Sequence, residues 1–258
     1  SYKNIALIYK AQEKYDEALD YFQKAIASSR DYKNLDLAYT YNNVGLIHEA
    51  QGDYAQALTY HHKALHEWRL AWGDSHLLVA KGYNNLGMLY YNLDSLAQAR
   101  RYYEQSLTIR RRLFGERSAE VAHAYTSMGN VCYKAGAMQA ALQNYHLAML
   151  ANGHALTDTA TPPASLSCLN PLLTLDNLQW QMMTLRRLNR RNAAPALARY
   201  GDRLIDSLRR TLATHEDRLA LGQRAAGLYQ QALLADHTTP EAFYFSGKNK
   251  SMVLLQAL

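Results

Sequence analysis

Three glycines, Gly45, Gly87 and Gly129, recur at a constant interval of 42 residues. Each glycine follows a tyrosine by four residues and precedes an alanine by twelve residues. The tyrosines are Tyr41, Tyr83 and Tyr125, and the alanines are Ala57, Ala99 and Ala141. A fixed period of this kind is typical of stacked repeat units, each of which buries its apolar face against its neighbours. The sequence therefore predicts a repeat array over residues 1–150, and not one globular core.

A fourth copy of the pattern lies upstream of the three glycines. Counting back from Ala18 puts Ala6 in the glycine position, with Tyr2 before it and Phe22 behind it. Within each copy the apolar residues recur at helical spacing, and turn-forming pairs such as Gly52-Asp53 separate two helices. Small residues at the glycine and alanine positions allow two antiparallel helices to cross closely. Each copy is therefore predicted to be a helical hairpin.

This order of Gly, Tyr, Ala, aromatic and Ala resembles the tetratricopeptide repeat. The period exceeds the usual length of about 34 residues, and Tyr-Asn-Asn at 41–43 and 83–85 makes the long form similar to the kinesin light chain type. The resemblance implies an all-α fold: a right-handed α-solenoid of tetratricopeptide helical hairpins followed by additional degenerate hairpin-like helices. The copies depart from the pattern at Ala6, at Ser106, which replaces alanine, and at Thr126-Ser127, which replace the Asn pair.

The repeat pattern stops near residue 150. Residues 151–174 are rich in Pro, Ser and Thr and are predicted to form a connecting loop. Residues 175–258 read as a further helical block, and its end resembles the segment that precedes a CHAT protease domain in bacterial proteins. That resemblance implies that a caspase-like cysteine protease follows in the parent protein and contacts this chain, and that the chain is a fragment. It rests on Phe243, Ser246, Lys250, Ser251, Leu254 and Leu255, with Gly247 and Asn249 departing from the pattern.

The composition of the chain limits the cellular compartments in which we expect the protein. No run of residues reaches the roughly 18 apolar residues that a membrane-spanning helix needs, so we expect no membrane partner. The chain begins inside a repeat helix, so no signal peptide is expected. Its two cysteines are too few for a disulfide framework, which favours a reducing compartment and predicts a cytoplasmic protein.

We expect this chain itself to have no catalytic residues, no metal and no cofactor. Cys132 occupies the same repeat position as Tyr9, His48 and Tyr90, which indicates buried packing. Cys168 lies in the predicted loop without an assigned histidine partner. His62 and His66 are one helical turn apart, as in some zinc sites, but a third ligand is missing. His61 falls in the aromatic packing position, and the chain has neither a P-loop nor a dinucleotide fingerprint.

Positive charge is concentrated in the second half of the chain. Residues 175–258 carry 12 Lys and Arg against 7 Asp and Glu, whereas residues 1–174 carry 16 against 15. Arginine doublets of this kind contact phosphates, pair with acidic groups of another domain, or simply lie on a solvated surface. We expect no nucleic-acid partner, and a nucleic-acid-binding regulator stays a third alternative. The doublets are Arg186-Arg187, Arg190-Arg191 and Arg209-Arg210.

The predicted function is protein or peptide binding. In stacked hairpins the first helices line the concave side, so their outward residues converge on one groove. Carboxamides there can bond a peptide backbone, and the resemblance makes Asn43 and Asn85 the clamps. Alternatively, the carboxamides stabilise neighbouring repeats. A freestanding adaptor without an enzyme is the chief alternative to a protease regulator. The predicted groove residues are Asn4, Leu7, Asn42, Asn43, Leu46, Glu49, Asn84, Asn85, Met88, Tyr91, Ser127, Asn130 and Tyr133.

Overall fold

A computed structural model describes residues 1–28, 35–154, 161–163, 165–211, 214–235 and 244–249. All secondary structure in these ranges is helical, which confirms the predicted all-α fold. The chain divides into two compact units, Ser1–Leu113 and Phe114–Leu258. Within the described ranges, no helix is both long and apolar enough to cross a membrane.

The first unit contains three helical hairpins, and only the last residue of the third, Phe114, is assigned to the second unit. Their helices are α1 (Tyr2–Ala11), α2 (Tyr15–Ser28), α3 (Leu35–Ala50), α4 (Tyr54–Trp72), α5 (Leu77–Asn92) and α6 (Leu96–Phe114). Each hairpin turns at the same repeat position through a residue with positive φ: Glu13, Gly52 and Asp94. A residue in this left-handed region ends the first helix. Asp53 then starts α4 by accepting a hydrogen bond from the Gln56 N–H.

A small residue opposite a ring closes each hairpin. A Cβ atom added to Gly45 would lie 2.8 Å from His61 Cε1, and one added to Gly87 would lie 2.8 Å from Tyr103 Cδ1. Both distances are shorter than real Cβ contacts, so only glycine fits while the ring stays in place. His61 is fully buried, which confirms that it occupies the aromatic packing position.

Neighbouring hairpins of the first unit share continuous cores. Val44 and Ile47 of α3 are buried in one cluster with Ala18 and Phe22 of α2. Leu86 of α5 is likewise buried in a cluster with Trp68 of α4. Each first helix therefore packs on the hairpin before it, as the repeat pattern predicts.

The second unit begins with the fourth hairpin. Gly129 faces Tyr145 in the same way as the earlier pairs, and a Cβ at Gly129 would lie 2.4 Å from Tyr145 Cε1. Asn177 of the helix Pro171–Arg187 then donates a hydrogen bond from Nδ2 to Oγ1 of Thr126 in the helix Ala119–Lys134 over 3.0 Å. The helices are α7 (Ala119–Lys134), α8 (Met138–Ala151), α9 (Pro171–Arg187), α10 (Ala194–Arg209) and α11 (His215–Ala235), with a short 3-10 helix at Arg191–Ala193 and further helix at 244–249.

The buried amide of Asn152 bonds the start of the predicted connecting loop to a residue near its end. Asn152 is fully buried, accepts the Asn170 N–H at Oδ1 over 2.8 Å and donates from Nδ2 to the Asn170 carbonyl over 2.8 Å. Helix α9 starts at Pro171, four residues before the predicted start of the helical block at 175. The division of the chain at 150 and 174 stays a prediction. Of the residues that resemble a pre-CHAT segment, Phe243, Lys250, Ser251, Leu254 and Leu255 lie outside the described residues.

Candidate peptide-binding surface

Three of the five predicted asparagines of the first unit bond to a neighbouring first helix. Lys10 Nζ of α1 donates to Asn43 Oδ1 over 2.7 Å, and Asn43 Nδ2 donates to the Tyr39 carbonyl over 2.9 Å. Asn85 Nδ2 of α5 donates to Asn42 Oδ1 of α3 over 2.8 Å. Burial lowers the pKa of the Lys10 ammonium. These bonds form a ladder across α1, α3 and α5. Such a ladder is expected if the asparagines stabilise neighbouring repeats.

An apolar row runs beside this ladder. We use the name apolar row for Leu7, Leu46 and Met88, which follow the glycine position by one residue in α1, α3 and α5. Leu7 and Met88 are 39% and 37% exposed, and Leu46 is half-buried. Their neighbours one residue further along α3 and α5, Ile47 and Leu89, are fully buried in the core, whereas Ile8 of α1 is 58% exposed. The apolar row is therefore the accessible apolar part of the predicted surface in the first unit.

The other predicted residues of the first unit are placed differently. Glu49 lies against the ring of the second hairpin, with its Oε1 atom 2.6 Å from His61 Nε2 and its side chain only 12% exposed. Asn4 is exposed, whereas Asn84 and Tyr91 are half-buried. The Asn84 Oδ1 atom is buried and finds no hydrogen-bond partner among the residues that the structure describes. Glu49 thus contacts a ring of its own hairpin, while Asn4 adds an exposed carboxamide one helical turn from Leu7 of the apolar row.

The three remaining predicted residues lie in the second unit. Ser127 donates to the His123 carbonyl over 3.2 Å, and Asn130 accepts the Tyr145 hydroxyl over 2.8 Å. Tyr133 is buried beneath α9, where the Trp180 ring meets it edge-on at 5.3 Å and the Arg187 guanidinium lies 4.5 Å from its ring centroid. Tyr133 therefore presents little surface to a ligand.

Two residues of this region were missed by the sequence reasoning. Lys10 occupies the same repeat position as Glu49 and Tyr91, and that register was the available signal. Trp180 packs on the fourth hairpin from α9, beyond the periodic region, so no register indicated its place.

Cys132 is placed in the packing of its hairpin, and Cys168 has the wrong electrostatics for a nucleophile. Cys132 is buried, and Asn144 Nδ2 lies 3.8 Å from its Sγ atom. Burial raises the pKa of the Cys168 thiol, and burial lowers the pKa of the nearby His154 to about 4. Thr174 links the two, with its Oγ1 atom 3.5 Å from Cys168 Sγ and 3.0 Å from His154 Nε2. A thiolate–imidazolium pair instead needs a lowered thiol pKa and a raised imidazole pKa.

The three histidines on α4 have different surroundings: His61 is buried, whereas His62 and His66 are exposed. Burial, with a smaller contribution from His61, lowers the pKa of His62, whose ring meets Tyr102 edge-on at 6.2 Å. In the ranges described, no group of three or more His, Cys, Asp and Glu side chains is placed to hold a metal ion.

Some arginines of the doublets contact other side chains. Besides the contact of Arg187 with Tyr133, Arg209 forms an ion pair with Asp206 over 3.2 Å. Arg190, Arg191 and Arg210 are exposed. These arginines lie near the C-terminal ends of α9 and α10, where positive charge is favourable to the helix itself.

These features define a helical-repeat scaffold. Its helical hairpins place a glycine against a ring, and shared cores and hydrogen bonds join neighbouring hairpins of the first unit. A model of the tetratricopeptide repeat matches residues 1–66, 36–94 and 78–149. These matches together span more than half of the chain, which therefore belongs to the tetratricopeptide repeat family, whose members are typically scaffolds that bind protein or peptide partners. No curated protein matches the chain in sequence.

Solved structures support the same fold. BtubC (BKLC) from P. vanneervenii is 19% identical with a TM-score of 0.66, covering 79% of this chain and 78% of that one. The apo form of RapI is 12% identical with a TM-score of 0.68, covering 99% and 82%. A putative kinesin light chain of Podospora anserina with nearly identical repeats is 13% identical with a TM-score of 0.58, covering 85% and 96%. At these identities the likeness shows the fold alone.

Proposed function

We propose that this chain holds an extended or helical peptide of a protein partner on the first-helix face of its repeats. The observation that carries this proposal is the apolar row, which stays accessible on three successive first helices, while the adjacent residues of α3 and α5, Ile47 and Leu89, are buried in the core. Exposed apolar side chains flanked by polar groups are the usual composition of a peptide groove. The apolar row would take apolar side chains of the ligand, and Asn4 would bond its backbone.

The carboxamides contribute to this surface mainly by fixing its spacing. Asn42, Asn43 and Asn85 already bond to one another, to Lys10 or to the backbone. A ligand that used them as clamps would have to replace those bonds, with little net gain in free energy. We therefore assign recognition to the apolar row and give the ladder a positioning role.

We also propose that the chain regulates a C-terminal CHAT cysteine protease domain in its parent protein. The support for this part is the sequence resemblance of residues 243–258. A freestanding adaptor is the second candidate, and the fold similarity to BtubC (BKLC) and to a putative kinesin light chain favours it. The sequence of the parent gene separates the two candidates, because the protease regulator requires a histidine and cysteine pair in a downstream caspase-like domain.

The binding proposal is tested by capture of partners from the native host. The wild type is compared with Leu46→Ser/Met88→Ser and with the control Leu70→Ser, which removes an exposed leucine of α4 outside the apolar row. We expect a protein that the wild type and the control retain and that the double variant loses. Circular dichroism checks that all three chains stay folded. Equal retention by all three would place the binding site elsewhere.

A further inference from the structure

A buried carboxylate on α10 holds the helical segment 244–249 in the second unit. Asp202 is only 6% exposed. Its Oδ1 atom accepts the Tyr229 hydroxyl over 2.6 Å and lies 3.3 Å from Lys248 Nζ, and its Oδ2 atom accepts the Tyr244 hydroxyl. Burial alone would raise the pKa of this carboxyl, but the tyrosine hydrogen bonds and the Lys248 charge bring it below its usual value. Asp202 is therefore ionised and fully engaged at neutral pH.

An apolar anchor accompanies this carboxylate. Phe245 is 1% exposed and stacks on the Tyr229 ring with the centroids 5.8 Å apart. The segment 244–249 is thus fixed at two points, by the burial of Phe245 and by the bonds of Tyr244 and Lys248 to Asp202. The exposed side of Tyr244 is left facing a cleft.

That cleft has the size of a small-molecule site. Its volume is about 510 Å³, within the range of about 300–1,000 Å³ that is common for ligand pockets. Its walls combine apolar surface with two guanidinium groups. Among the described residues it is lined by Pro162, Ala196, Arg199, Asp202, Arg203 and Tyr244.

The charge of the cleft favours an anion. Arg199 and Arg203 are one helical turn apart on α10 and are both exposed. Arg203 lines the cleft, and its guanidinium lies 5.9 Å from the Tyr200 ring centroid. Lys248 offsets the charge of Asp202, whose oxygens are already bonded. A guanidinium prefers carboxylate and phosphate groups because its donors match their paired oxygens.

We propose that this cleft binds a small organic carboxylate or phosphate with an apolar body, and that occupancy stabilises the docked segment 244–249. Arg203, with Arg199, would hold the anionic group, while Pro162, Ala196 and the Tyr244 ring would contact the apolar body. Because Tyr244 both lines the cleft and bonds Asp202, a ligand packed on its ring opposes release of the segment. This site is separate from the apolar row and does not depend on the proposed peptide function.

Isothermal titration calorimetry of the full chain tests the site with three probes of similar size. Phenyl phosphate and phenylacetate carry the two anionic groups, and benzyl alcohol is the neutral comparison. We expect either or both anions to bind at least about tenfold more tightly than the alcohol, which corresponds to about 1.4 kcal/mol. The preferred anion identifies the ligand class. Arg203→Gln should weaken binding about tenfold, whereas the control Arg210→Gln, an exposed arginine outside the cleft, should leave it unchanged.

Amide hydrogen exchange supplies the second measurement. The bound anion should slow exchange in residues 244–249 of the wild type and have a smaller effect in Arg203→Gln. Equal binding of benzyl alcohol, no binding of either anion at millimolar concentration, or equal affinity in Arg203→Gln would each overturn the anion site. Binding without a change in exchange at 244–249 would overturn the coupling to the segment.

Discussion

Replacing Gly129 with alanine should destabilise the fourth hairpin through a single added methyl group. A Cβ at this position would lie 2.4 Å from Tyr145 Cε1 and 2.7 Å from Tyr145 Cδ1. Carbon atoms in contact normally sit about 3.5–4.0 Å apart, so the ring or the helix would have to move by roughly 1 Å. The ring has little freedom, because Tyr145 is fully buried and its hydroxyl bonds Asn130.

The magnitude follows from two opposing effects. Overpacking of a well-packed core costs about 1–3 kcal/mol, and more when the neighbour is fixed. Alanine in a helix interior is favoured over glycine by about 1 kcal/mol. We therefore expect a net loss of about 2 kcal/mol for Gly129→Ala. In Gly82→Ala the contacts are longer, 3.0 Å to the Leu65 Cδ1 methyl and 3.2 Å to Trp68 Cε3, so the loss should be smaller than in Gly129→Ala.

Urea unfolding followed by far-UV circular dichroism measures the loss, and hydrogen exchange assigns it to α7 and α8. Combining Gly129→Ala with Tyr145→Leu should recover part of the stability that the two separate substitutions cost, with a coupling of about 1 kcal/mol or more. If Gly129→Ala is as stable as the wild type, or if the double variant shows no coupling, then contact with the ring is not the reason for glycine at this position.

Two further predictions concern the second unit. Asn152→Ala should lower the stability of this unit by about 2–3 kcal/mol, because the Asn170 N–H and carbonyl lose a buried partner. In the same urea titration, the exposed control Asn192→Ala should stay within about 0.5 kcal/mol of the wild type. Burial lowers the pKa of His154 to about 4, below the value of about 6.5 in an unfolded chain. The unfolded state therefore gains its proton first, and stability should fall by as much as about 3 kcal/mol as the pH drops from about 6.5 towards 4. His154→Gln should flatten this part of the curve, and an unchanged slope in that variant would assign the acid sensitivity to other groups.

The hairpins could be predicted from the sequence because each requires residue types at fixed spacing. A crossing of two helices needs a small residue on one and a ring on the other, and Gly45 with His61 satisfies that rule although histidine is an unusual ring there. The same logic placed Ala6 and Phe22 in the first hairpin, where both are fully buried.

Contacts that lie outside the period could not be predicted in this way. Asn152 bonds to Asn170 across a segment without periodicity. Asp202 bonds to Tyr244, which lies 42 residues further along the chain. Polar side chains of this kind have many possible partners, and no spacing rule selects one. The candidate surface shows the same limit, because the sequence supplies the donors and acceptors of Asn43 and Asn85 but not the atoms to which they bond.

That limit decides which variants can test peptide binding. Replacing Asn43 with alanine removes the acceptor of Lys10, a half-buried ammonium whose pKa burial has already lowered, so the variant would weaken the contact between α1 and α3 as well as any bond to a ligand. A loss of partner binding in Asn43→Ala would thus have two explanations. Leu46 and Met88 carry no polar bond between repeats, and truncating their partly accessible side chains changes mainly the surface offered to a partner. Binding that is lost on changing the apolar row while the folded state is retained therefore identifies recognition, whereas binding lost only with the asparagines identifies the stacking of the repeats.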